Sequence, residues 1–235
     1  MLSSKEKDMV GAGGPFQALK HRYAQVYAQP GYVESVALSI GAVLLSMVAS
    51  SFAVVFSTEH ASNGVTDLIL SNTPALDVDG IYVYGALCLI AFIVILCAVF
   101  PKRLPFMLYS LALFFVTRSL FVSLTHLGPF EPSMQINFGT AIQRMFFGDD
   151  YFFSGHTGAP FLMALIYWRE KFLRYVFLAL SIFFGAVVLL GHLHYSIDVF
   201  GAFFITYTIY ALALFLFPRS RELFIESDPA EINEI

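Results

Sequence analysis

The chain has 235 residues, of which 58% are hydrophobic and 13% charged. A soluble domain carries roughly 25% charge, so a water-soluble globular protein is excluded. Mean hydropathy is +0.73, and the net charge of −4 is less informative than where the charges stand; no nucleic-acid partner is expected.

The first 32 residues are polar and mixed, with no opening apolar run, so no cleavable signal peptide is expected. Residues 15–29 place Phe16, Leu19, Tyr23 and Val26 on one helical face, against Lys20, Arg22 and Gln25. This predicts an interfacial helix on the inner leaflet, with disorder as the alternative. Apolar runs follow at about 33–56, 81–100, 105–124, 153–168, 172–190 and 195–217. Most approach the roughly 20 residues that a spanning helix needs; the fourth is short, and suffices only if its helix starts near Ser154. Pro101, Pro129 and Pro218 mark stops. Cys88 and Cys97 stand nine apart in one run, which excludes a mutual disulfide and predicts two buried thiols. The acidic residues after Arg221 (Glu222, Glu226, Asp228, Glu231 and Glu234) predict a solvated tail.

Charge placement orients these spans. Lys5, Lys7, Lys20 and Arg22 precede the first, and Lys102 and Arg103 follow the second. Arg169, Lys171 and Arg174 separate the fourth from the fifth, and Arg219 and Arg221 follow the sixth. Eleven of the 13 basic residues thus fall on one side, which the positive-inside rule assigns to the cytoplasm. Only Arg118, within the third span, and Arg144, in an outer loop, remain. The predicted fold is all-α: a cytoplasmic segment (1–32), a single domain of six transmembrane helices (33–217), and a cytoplasmic tail (218–235).

Two stretches carry chemistry. His194 and Asp198, four apart, share a helix face. The carboxylate can hold one ring nitrogen, set the tautomer and raise the basicity of the other. The alternative is a pair that only pins the helix end. In Ser154-Gly155-His156-Thr157, serine is a good N-cap, and the helix start offers N–H groups and a positive dipole end to a phosphate. Gly155 allows close approach, and His156 can protonate a leaving oxygen. By parity of crossing, both stretches reach the same outer face, at the extracytoplasmic ends of helices 3, 4 and 6. Arg118 needs an anionic partner, either a phosphate or a carboxylate such as Asp150 or Asp198. Arg144 is a second phosphate candidate. His192, beside His194, is as readily interfacial as functional; His21, His60 and His126 are read as solvent or interface residues. No metal-ligand pattern is found, and no cofactor is expected.

At these residues the chain resembles the sphingomyelin synthase branch of the type 2 phosphatidic acid phosphatase (lipid phosphate phosphatase) superfamily. Pro74-Ala75-Leu76-Asp77 is similar to its first outer-loop block, and Arg118 through Thr125 with Pro129 to its second. Asp150 through Thr157 is similar to the third block, and His194 through Val199 to the fourth. Gly148 and Asp149 stand where the family has Cys-Gly. The ending after the fourth block is reduced to Tyr207 and Tyr210, without a histidine. Against the phosphatase branch, no Lys-x6-Arg-Pro block is present, and Val188 occupies the place of an arginine six residues before His194.

The resemblance implies His194 as nucleophile, Asp198 as its orienting carboxylate and His156 as acid, then base. Arg118, Asp150, Ser154, Gly155 and Tyr195 are the substrate-binding candidates. It implies a metal-independent enzyme that cleaves a glycerophospholipid to diacylglycerol and moves the phospho-head group, through a phosphohistidine, to water or to a lipid hydroxyl; ceramide and diacylglycerol are the candidate acceptors. Lipid phosphate phosphatase and non-enzymatic lipid-binding protein are the alternatives. The expected location is a multi-pass membrane protein with cytoplasmic termini and an extracytoplasmic active site. A bacterial inner membrane is favoured over a eukaryotic Golgi or plasma membrane, because the cytoplasmic sterile alpha motif domain of some animal members is missing.

Overall fold

The computed structural model describes residues 16–17, 19–130 and 152–225. After a helical segment at 19–27, the chain forms α1 (Tyr32–Glu59), α2 (Asp79–Val99), α3 (Leu104–Leu124), α4 (Gly155–Ile166), α5 (Lys171–Leu190), α6 (Ser196–Leu216) and α7 (Pro218–Ile225). There is no strand among the described residues. Five segments are long and apolar enough to cross a membrane: α1, α2, α3 with its preceding turn, α5 and α6. Their outward faces carry large apolar side chains, such as Leu45, Phe52, Phe204 and Phe215. Helices apolar all round fit a multi-pass membrane protein.

Helix α1 packs chiefly along α3 and buries Ser39, Ser46, Ser50, Ala53 and Ser57. Small residues at this spacing let two backbones approach closely where no hydrophobic drive separates helix from lipid. The Ser39 and Ser46 hydroxyls are satisfied within the helix, donating to the carbonyls of Val36 (2.9 Å) and Val43 (2.7 Å).

The fourth apolar run differs most from expectation. Its helix, α4, has only 12 residues, about 18 Å at 1.5 Å per residue, against a hydrocarbon core of roughly 30 Å. Phe153, at a φ of 62°, and the non-helical Ser154 stop it at one end. At the other, Tyr167 leaves the helix, and its buried hydroxyl reaches Met107 Sδ at 3.0 Å. Leu162, Met163 and Ala164 have no exposed surface, and α4 packs mainly against α5 and α6. It is an internal helix, enclosed by the longer ones.

Two basic residues expected in cytoplasmic loops have structural partners. Arg103 is 4% exposed; it pairs with Glu170 and lies over the rings of Phe100, Tyr167 and Phe224. The α2–α3 turn is thereby tied to the α4–α5 turn and to α7. Arg22, placed on the polar face of the N-terminal helix by its sequence, donates to the Val99 carbonyl at 2.8 Å. A cation there suits the negative end of α2. Val26 is fully buried and Tyr23 donates to the Ala98 carbonyl at 3.0 Å, so this segment docks on the end of α2.

Candidate active site

The turn from α5 into α6 sets His194. Leu193 N donates to Val188 O (2.9 Å) and His192 N to Leu189 O (3.1 Å), the paired bonds of a Schellman helix ending. That motif needs a left-handed residue, and His192 takes the position at a φ of 53°. The neighbouring Gly191 cannot be replaced freely, since a Cβ there would lie 2.5 Å from the Val78 side chain. The His192 ring is buried and reaches the Thr73 carbonyl through Nε2 at 3.1 Å. It is an anchor of the turn.

His194 follows, 3% exposed, with Nδ1 3.3 Å from Asp198 Oδ2. The same oxygen accepts the Tyr195 backbone N–H at 3.0 Å, so Asp198 also caps α6. The pair thus pins the helix end and sets the orientation of the imidazole. Asp198 Oδ1 is buried without a hydrogen-bond partner among the described residues.

The second motif lies directly against the first. Ser154 N donates to the Asp198 carbonyl at 3.2 Å, and the first turn of α4 closes with Gly158 N on Ser154 O at 2.9 Å. As the sequence predicts, Ser154 is the N-cap, its Oγ accepting from Thr157 N at 3.4 Å. Ser181 on α5 donates to the Thr157 carbonyl at 2.7 Å and steadies this turn. Arg118 reaches the same place from α3, its Nε donating to the Phe153 carbonyl at 3.3 Å. A Cβ on Gly155 would come within 3.3 Å of that nitrogen, so glycine lets the guanidinium lie against the helix start. A cation beside a positive helix end is stabilised by an anion.

His156 is held by α2. Its ring stacks on Tyr82, with centroids 3.9 Å apart and planes 24° from parallel. His194 and Arg118 both lie within electrostatic reach of it. The fold therefore gathers His156, His194, Asp198, Ser154, Gly155 and Arg118 at one end of the bundle. Asp150 and Arg144 lie outside the described residues. Tyr195 turns instead toward the segment between α1 and α2 and the segment after α3. It is 1% exposed, and its hydroxyl donates to Gly128 O (2.9 Å) and accepts from Val65 N (3.1 Å). Of the first resembling block, Leu76 N bonds Leu190 O (2.8 Å), and Asp77 Oδ1 accepts from Asp79 N (3.2 Å) at the start of α2.

Sequence reasoning missed Asp67 and Tyr82. Asp67 is buried, and its Oδ2 accepts both the backbone N–H and the hydroxyl of Ser196, at 2.7 and 2.8 Å. Its Oδ1 accepts from Ile69 N and Leu70 N, at 2.9 and 3.1 Å. Burial pushes its acidity toward a higher pKa, but these four bonds outweigh burial and hold it below the usual carboxylate range. Asp67 thus clamps the residue two places after His194 to the segment between α1 and α2. An aspartate just ahead of the apolar pair Ile69-Leu70 is a local turn signal; its partner, 129 residues away, left none.

Residues 149–214 match the family model described as PAP2 superfamily C-terminal. The matched stretch contains His156, His194 and Asp198, and covers α4, α5 and nearly all of α6. No curated protein and no solved structure matches the chain. That stretch, 66 of the 235 residues, is similar to the C-terminal part of the PAP2 superfamily.

Proposed function

We propose that this chain is a sphingomyelin synthase-like phosphotransferase or phospholipase C-type enzyme that cleaves the glycerol–phosphate bond of a membrane phospholipid. The observation that carries this reading is the direct join of the two motifs, Ser154 N on Asp198 O. It brings an oriented imidazole to the N-terminus of α4, where Arg118 already lies.

In the proposed reaction the Nε2 lone pair of His194 forms a bond to phosphorus, and the bond from phosphorus to the glycerol oxygen breaks. His156 gives its proton to that oxygen, releasing diacylglycerol. Asp198 balances the positive charge that develops on the His194 ring. Arg118 and the leading N–H groups of α4 hold the phosphate oxygens. His156 then takes the proton of the acceptor hydroxyl, whose oxygen displaces Nε2 and regenerates both histidines. The acceptor is ceramide, diacylglycerol or water. We place this end outside the cytoplasm and the Arg103 end within it, with α4 and its flanking segments as the fourth of six crossings.

The test is product analysis. Purified protein in mixed micelles is given phosphatidylcholine, phosphatidylethanolamine or phosphatidic acid, with and without ceramide. Diacylglycerol with an intact phospho-head group, released or moved to ceramide, is expected. Inorganic phosphate from phosphatidic acid alone would replace this reading with a lipid phosphatase, which the family match favours as the second reading.

A further inference from the structure

Because α4 is short, the bundle is uneven at its basic end. On α6, twelve residues below Asp198 stands Tyr210, level with the close of α4 at Ile166; α6 continues to Leu216, about 9 Å further at 1.5 Å per residue. The Arg103–Glu170 pair and Phe224 of α7 fill part of that step. The rest is a cavity of about 590 Å³ between α4, α5, α6 and α7.

Its walls divide by chemistry. Phe161 and Leu165 of α4 and Leu178 of α5 line an apolar part, beside the outward-facing Tyr207. Arg169 and Arg221 line the other. The Nη1 atom of Arg221 is buried without a hydrogen-bond partner among the described residues. Glu170, the carboxylate that lines this cavity, is engaged by Arg103. Arg221 also lies over the Phe106 and Phe224 rings, which hold it in place. A guanidinium at the polar end of an apolar slot suits an anion attached to hydrocarbon.

We propose that this cavity binds one anionic phospholipid from the leaflet at the basic end, with its phosphate on Arg221 and an acyl chain along Leu165 and Leu178. Basic pockets between membrane helices on the cytoplasmic side recognise lipid phosphates in this way. The cavity lies at the opposite end of α4 from His156, so it is separate from the candidate active site, and the inference does not depend on the reaction proposed there.

The experiment uses the full chain carrying His194→Ala, so that no probe is consumed, in micelles of phosphatidylcholine and phosphatidylglycerol. Native mass spectrometry counts the lipids retained. One phosphatidylglycerol per chain should survive Arg118→Gln, which alters the other end, and fall at least tenfold with Arg221→Gln. Leu178→Trp, which fills the apolar part without changing charge, should remove it as well. Equal retention in the Arg221→Gln and Leu178→Trp proteins overturns the proposal. So does a chain that retains phosphatidylglycerol only after residues 226–235 are deleted, since the acidic tail would then be the occupant.

Discussion

The two ends of α4 both bury ionisable groups, and they use them differently. At the Tyr167 end the Arg103 charge is closed within the protein: it meets Glu170 and is stacked among three rings. At the Gly155 end, Arg118 and two histidines surround a helix N-terminus. The first arrangement is an ion pair set among rings, whereas the second sets a cation and two imidazoles at the positive end of a helix. Buried charge in a membrane bundle is therefore informative only with its partner: matched, it fixes structure; gathered around a helix start, it prepares a binding site.

The sharpest test of that contrast is His194→Ala. It should lower turnover by at least about 10⁴-fold while the protein stays folded, because a nucleophile has no substitute. Near wild-type turnover in product assays would remove the proposed mechanism. Asp198→Asn should cost about 10³-fold in kcat through the wrong tautomer, with some loss of stability because the same oxygen caps α6. An unimpaired variant would leave Asp198 as a helix cap only.

The opposite end should respond in the opposite currency. Arg103→Ala leaves the half-buried Glu170 without its partner and should destabilise the fold by about 1–3 kcal/mol. Turnover per folded molecule should stay near that of the parent, measured after quantifying the monodisperse fraction. The double change Arg103→Met with Glu170→Leu should recover most of the lost stability. A large fall in turnover per folded molecule would mean that the two ends are coupled.

A smaller effect is expected at Asp67. Asp67→Asn should lower kcat about tenfold by loosening the segment that carries His194, with little change in KM, and Asp67→Glu should not restore it. Its stability contribution also has a defined pH dependence. Because the folded carboxyl is held below its ordinary value of 3.8, the contribution is fully present above that value and is lost as the pH falls through the lower folded one. The difference in melting temperature between parent and Asp67→Asn should therefore be flat at neutral pH and shrink in acid. A difference that grows on acidification would contradict the hydrogen-bonded carboxylate.

Local spacing in the sequence carried much of this molecule. Composition and run length specified an all-helical membrane protein. His194 meets Asp198, but from outside the helix: α6 starts at Ser196 after the extended N-cap Tyr195, so the contact is made across the cap and not along a shared helix face. The Ser154 N-cap stands where its motif puts it. The two caps follow from local hydrogen bonding at a helix start, where the chain has little choice. Tertiary structure alone decided the rest. Arg118 against Gly155, Tyr82 stacked on His156, Asp67 clamping Ser196 and Arg103 sealed by Glu170 join residues far apart in the chain. The length of α4 belongs with them: an apolar run states how many residues avoid water, but only the packing of α5 and α6 around it, with Tyr167 drawn aside to Met107, determined where the helix would end.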